Sequence, residues 1–202
     1  RNPENIGAEL NVLQSMRQSS GKWIWLFGDD DIVLPGAVAF LLESIERASD
    51  DLGLILLNYG QLDKDGITVL SRGVCNAPDG WHGNFLDFFD FKGSFDILGF
   101  ISALVIRSDN IDYSNDYEKF NSYYAHIGYL IQSFWCKTIL YNSNVILNQR
   151  QYNQRIDESL SNKEKTYTHS IETFIGILMV LITASRVTGV DISSIERLTS
   201  KI

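Results

Sequence analysis

Three adjacent aspartates, Asp29-Asp30-Asp31, follow an apolar run, Trp23-Ile24-Trp25-Leu26-Phe27, with only Gly28 between them. A run that is apolar on both faces suits a central strand of a parallel or mixed sheet. The chain must then leave the core abruptly at the acidic turn. Carboxylates this close repel one another, and keeping them together at a strand end costs free energy without a nearby cation. All-oxygen donors suit Mg²⁺ or Mn²⁺, which complete their shells with water and substrate phosphates. The segment is therefore a candidate site for a metal-held diphosphate.

The flanking pattern places this strand in an α/β layered fold, because strand and helix periods alternate along the chain. Residues Pro3 to Ser19 space Ile6, Leu10, Leu13 and Met16 by three and four, which predicts an amphipathic helix closed at Ser20-Gly21. Pro35 suits the first turn of a helix over Ala37 to Ala48. Leu52 to Tyr59 reads as a second buried strand, Asp63 to Gly66 as a turn, and Ile67 to Leu70 as a short strand. Further strands are predicted over Gly99 to Ile106 and Thr138 to Leu147, and helices over Asp116 to Trp135, Lys163 to Thr188 and Ser193 to Lys201. The sequence starts at Arg1 almost directly in a helix, and the first strand has no earlier strand to pair with. The expectation is a sheet lacking its N-terminal strands, with residues 1–155 as a partial α/β domain and 156–202 as a C-terminal helical segment.

With 202 residues the chain can bury one sizeable core. Its formal charge of −8 provides no general attraction for nucleic acid, so an anionic substrate must be held locally. Cys75 and Cys136 stand far apart in no metal-ligand spacing, which reads as reduced thiols in a cytosolic protein. The longest apolar stretch, Phe174 to Ala184, is too short to span a bilayer. The helix containing it, Ile171 to Val187, is apolar around much of its circumference. It suits burial against the sheet or a partner subunit, as in a homo-oligomer, or peripheral docking on the inner membrane.

The pattern Asn5-x-Gly7-x-x-x-Asn11, then Gly21-Lys22-Trp23, then the apolar strand into Asp29-Asp30-Asp31-x-x-x-Pro35 resembles the central segment of family 2 glycosyltransferases. The likeness is clearest over the first fifty residues, and within the family it is closest to bacterial O-antigen and capsule transferases. It implies the GT-A fold, a Rossmann-like mixed sheet flanked by helices, with a DXD-type motif at a strand end. It also implies a cytoplasmic, metal-dependent enzyme using Mn²⁺ or Mg²⁺, a nucleoside-diphosphate sugar as donor, and a saccharide or lipid-linked acceptor. The family places its first motif aspartate where this chain has Gly28. Alignment on Pro35 then makes Asp30 the expected metal ligand, with Asp29 sharing the metal or holding the ribose. Asp31 and Asn11 are expected on the nucleotide-sugar.

An inverting transfer also needs a base for the acceptor hydroxyl and a group that steadies the leaving diphosphate. The family supplies the base as an acidic residue at a helix start. Here Tyr123-Tyr124-Ala125-His126 has no such acid, and His126 is the expected base, with Asp116 and Glu118 as acidic alternatives. Ser102 falls where the family lines the acceptor site. Arg150 and Arg155 fall in its arginine-bearing closing loop, where bidentate contacts would clamp the diphosphate. Trp81, between Gly80 and Gly83, is the aromatic residue expected to stack on an acceptor sugar, while Phe85, Phe88, Phe89 and Phe91 suit a core. Two other readings remain beside the transferase: a GT-A-like nucleotidyltransferase, and a non-catalytic carbohydrate-binding or assembly domain.

Overall fold

The structure, a computed structural model, describes residues 3–111 and 125–150. They divide between two compact units. The first comprises residues 19–111 and 134–150 and carries every strand. The second contains, among the described residues, helix α1 (Ala8–Gln18) and the part of α5 (Ala125–Phe134) that precedes Phe134. The expected helices over 163–188 and 193–201 lie outside the described residues.

The first unit is a mixed α/β assembly of two sheets. The larger is formed by β1 (Trp23–Trp25), β3 (Leu52–Leu57), β6 (His82–Gly83), β7 (Leu104–Arg107) and β8 (Thr138–Asn142), in the order β1-β7-β3-β8-β6. Only β3 and β8 run parallel; the other three pairs are antiparallel. The smaller sheet has the order β2-β9-β4-β5, from β2 (Ile32–Val33), β9 (Leu147–Arg150), β4 (Gly60–Leu62) and β5 (Val69–Ser71). Helix α2 (Ala37–Glu46) follows β2 and buries Ala37 and Leu41, and the short helix α3 (Phe85–Phe88) follows β6.

Three strands of the larger sheet pass directly into the smaller one: β1 into β2, β3 into β4, and β8 into β9. The crossing segments are residues 26–31, Asn58-Tyr59 and residues 143–146. Three carboxyl-terminal strand ends therefore meet at one seam, the location where open α/β sheets bind ligands. The β3 sequence explains why the sheet is anchored there. Leu52-Gly53-Leu54-Ile55-Leu56-Leu57 is buried at every position, flanked by β7 and β8. Each of its leucine and isoleucine side chains contributes about 1.5–3 kcal/mol on burial.

Several expected elements are reshaped by local hydrogen bonding. The single strand expected over 138–147 is two strands in two sheets. The Asn142 side chain accepts the Asn144 N–H at 3.0 Å, and Asp79 accepts both the N–H and the hydroxyl of Ser143. Such side-chain bonds replace ladder bonds and turn the chain. The strand expected over 99–106 begins only at Leu104. Before it come helix α4 (Ser94–Gly99) and a 3₁₀ turn over Ile101–Ala103, in which the Ala103 N–H reaches the Phe100 carbonyl at 2.9 Å. Helix α1 starts at Ala8 rather than Pro3, because Asn5 Oδ1 accepts the Gly7 N–H and Gly7 takes a left-handed φ of 82°. Finally, β1 pairs antiparallel with the later strand β7.

Candidate functional site

The acidic turn lies in the seam between β1 and β2, and two strand registers bring its neighbours to it. β1 and β7 pair Trp25 with Val105. Carried three residues further, that antiparallel register sets Ser102 opposite Gly28. The Gly28 N–H donates to Ser102 Oγ at 2.8 Å, and the Ser102 hydroxyl donates to Asp31 Oδ2 at 2.5 Å. Trp25 Nε1–H fixes the same turn by donating to the Ser102 carbonyl at 2.9 Å. β2 and β9 pair Ile32 with Asn148, which brings the end of β9 beside Asp31. There the Arg150 backbone N–H donates to the Asp31 carboxylate.

Asp31 is thus the aspartate most firmly built into the fold. Its carboxyl is pushed above the usual range, first by burial and then by repulsion from Asp30 and Asp29, against the lowering effect of the Ser102 and Arg150 bonds. Asp30 is partly buried and Asp29 exposed. Tyr59, at the end of β3, lies close enough for its phenol to feel the Asp31 charge. Burial first, then Asp96 and Asp31, hold the phenol strongly in its protonated form. Its hydroxyl donates to the Asp96 carbonyl at 3.3 Å, and its ring packs on Phe100 at 4.2 Å.

Gly28 explains how the carboxylates converge. A Cβ at this position would lie 2.7 Å from Asp31 Oδ2 and 3.2 Å from Asp30 Oδ1. The two oxygens therefore bracket the space that a side chain at position 28 would fill. Among the described residues, no group of three His, Cys, Asp or Glu side chains converges to hold a metal ion. Asp30 and Asp31 supply a pair of carboxylate oxygens at Gly28. That pair fits a hard divalent cation of the kind bound through one or two carboxylates, with phosphates and waters supplying the remaining ligands. Asp31 thus joins Asp30 beside Gly28, and Asp29, expected to share the metal, is the exposed member of the three.

The other expected site residues are distributed differently. Ser102 is fully buried, with 0% exposure, so its hydroxyl serves Asp31 and Gly28 instead of lining an acceptor site. Arg150 contributes its backbone N–H to Asp31, while its side-chain Cδ runs 3.6 Å from where a Cβ on Gly66 would sit. Trp81 does not join the acidic turn. It adjoins β6, four strands from β1 and so about 19 Å away at the usual strand spacing. Its indole packs on Phe88 and Phe91, both at 5.4 Å, and covers Gly83. Asn11 is exposed on α1, its N–H bonded to the Gly7 carbonyl. His126 is buried at 8% exposure in the first turn of α5. Both belong to the second compact unit. Asp116, Glu118 and Arg155 lie outside the described residues.

Tyr59 was not singled out by sequence. The available signal was its place just after a wholly apolar strand, at the carboxyl end where α/β sheets bind ligands.

The raised Asp31 carboxyl has a consequence for stability. The folded state binds this proton more tightly than the unfolded chain does, so Asp31 favours folding at low pH and opposes it once ionised. Asp31→Asn cannot ionise. The melting temperature of the variant minus that of the native protein, measured without metal, is expected to increase as pH rises from about 3 through the Asp31 titration toward 7. A flat or falling difference would show that burial does not penalise this carboxylate.

The chain matches no protein-family model and no curated protein.

Proposed function

We propose that the protein is a metal-dependent, inverting glycosyltransferase of the GT-A type, transferring a sugar from a nucleoside-diphosphate donor to a hydroxyl of a saccharide or lipid-linked acceptor. The observation that carries this reading is the pair of oxygens, Asp30 Oδ1 and Asp31 Oδ2, bracketing Gly28 at the carboxyl end of β1. Its support is joint: an acidic strand end in a mixed α/β sheet, and the Asn5, Gly7, Asn11 and Pro35 pattern around it.

In this reading Asp30 and Asp31 hold Mn²⁺ or Mg²⁺, and the bound cation supplies charge stabilisation to the departing diphosphate. Asp29, exposed at the front of the turn, is assigned to the donor ribose. Ser102 and the Arg150 N–H keep the Asp31 carboxylate in one orientation. Tyr59 stays neutral beneath it and adds no further negative charge. The family resemblance assigns the base to His126, which belongs to the other compact unit. The cytoplasmic location belongs to the same proposal. No helix among the described residues is long and apolar enough to cross a membrane.

The test is a thermal-shift screen of nucleoside-diphosphate sugars with and without Mn²⁺, followed by assay of nucleoside diphosphate released from any donor that binds. One donor is expected to raise the melting temperature only with metal and to be hydrolysed slowly. Asp30→Ala is expected to remove the metal-dependent part of that shift. If no donor shifts the melting temperature under either condition, the transferase reading fails.

A further inference from the structure

Ser102 is fully buried, yet its single hydroxyl makes two bonds across the seam. It accepts the Gly28 N–H at 2.8 Å and donates to Asp31 Oδ2 at 2.5 Å. Its own backbone is pinned by Trp25 Nε1–H and by the 3₁₀ turn over Ile101–Ala103. We infer that Ser102 is the positioning residue of the metal site: it acts through Asp31, fixing that carboxylate beside Asp30. This rests on the metal reading proposed above and goes beyond it by assigning the residue that orients the ligand.

The physical argument is one of preorganisation. A free aspartate side chain must be ordered when it binds a cation, and ordering costs entropy. Here the hydroxyl has ordered it beforehand. An ionised carboxylate offers about four lone-pair sites, and Ser102 and the Arg150 N–H use two. Acceptor capacity therefore remains for a cation. The Gly28 bond adds a second function. It holds the backbone at the position where a side chain would collide with Asp31. Outer partners that orient metal ligands in this way are worth about 10-fold to 100-fold in metal affinity.

The experiment titrates the whole chain with Mn²⁺ alone and reads the free ion by electron paramagnetic resonance. The variants are Ser102→Ala, Ser102→Cys, Ser102→Thr, Asp31→Ala and the double variant Ser102→Ala/Asp31→Ala. Ser102→Ala is expected to weaken Mn²⁺ binding about 10-fold or more. Ser102→Cys, close in shape but a poor donor, should do the same if the alanine variant fails to fold. Ser102→Thr, which keeps the hydroxyl, should recover most of the affinity. In the Asp31→Ala background the Ser102 change should cost nothing more, which a merely structural role would not produce. If the native protein binds Mn²⁺ and the Ala and Cys variants bind it equally well, the inference falls and the proposed function stands. A Ser102 effect undiminished without Asp31 also overturns it. A native protein that binds no Mn²⁺ removes the metal reading, and Ser102's role with it.

Discussion

Gly93→Ala is expected to destabilise the protein by about 2–5 kcal/mol, most of it through a collision with backbone that has nowhere to move. Gly93 caps α4 in the left-handed region, at φ 83° and ψ 5°. A side chain in that conformation costs about 1–2 kcal/mol. The added Cβ would also press into the Val74 peptide, 2.7 Å from its carbonyl carbon and closer still to its oxygen, and 2.9 Å from Cys75 Cα. Overpacking of this kind adds about 1–3 kcal/mol. The neighbouring backbone is itself tied down, since Asn58 Oδ1 accepts the N–H groups of Val74 and Cys75. Gly80→Ala is the control. Gly80 also has positive φ, 68°, but a Cβ there would meet nothing within 4 Å. Only the conformational cost of about 1 kcal/mol should appear. Urea unfolding of both variants separates the two contributions. Equal midpoints would mean that the loop over Val74 and Cys75 yields freely, and that α4 does not depend on its close approach. Because α4 leads directly into the turn bearing Ser102, a displaced α4 should also blunt the response to Mn²⁺.

What sequence alone made legible was set by local pattern. The runs at Trp23 and Leu52 are apolar on both faces, and both became strands of the larger sheet. The acidic turn, the helix after Pro35 and the Asp63 to Gly66 turn follow from residue types whose preferences act over a few residues. Pairing is a different kind of information. That Ser102 stands opposite Gly28 depends on an antiparallel register between segments almost eighty residues apart, and no local signal encodes it. The same holds for the Arg150 backbone N–H, which reaches Asp31 although it was the side chain that made the residue conspicuous.

The ranking of the three aspartates shows this limit most clearly. Spacing to Pro35 favours Asp30, and the resemblance sets Asp29 ahead of Asp31 as its partner. Their difference arises from what surrounds them in space: Asp29 is exposed, while Asp31 is enclosed by Ser102, the end of β9 and Tyr59. Trp81 illustrates the reverse case. Glycines on either side suggest an exposed loop, yet the ring needs Gly83 as the flat surface beneath it and packs on Phe88 and Phe91. Asn58, unremarkable in sequence at a strand end, joins β3 to the 73–75 segment and to the Ser143 carbonyl through one amide.

Placing an aspartate at position 28 is expected to harm the proposed metal site, although it supplies the residue that the resembled family carries there. Gly28 does not have positive φ, so its backbone admits any residue, and the whole effect must come from side-chain space. That space is taken. Asp31 Oδ2 lies 2.7 Å from the position of the new Cβ, and the Ser102 hydroxyl and the Arg150 N–H hold the carboxylate in place. Gly28→Asp must push it off those donors and add a fourth carboxylate to three that already repel one another. Mn²⁺ affinity should fall about 10-fold to 100-fold, the usual cost of disordering a ligand's supports. Gly28→Ala should show much of the same loss without the added charge, which separates crowding from repulsion. The decisive variant is the exchange Gly28→Asp with Asp31→Gly. It removes the occupant and returns a carboxylate to the vacated position, so it should bind Mn²⁺ within about fivefold of the native protein, while either single change binds worse. If Gly28→Asp alone tightens Mn²⁺ binding, Asp31 does not occupy the position of the missing aspartate, and the pairing of Asp30 with Asp31 is wrong.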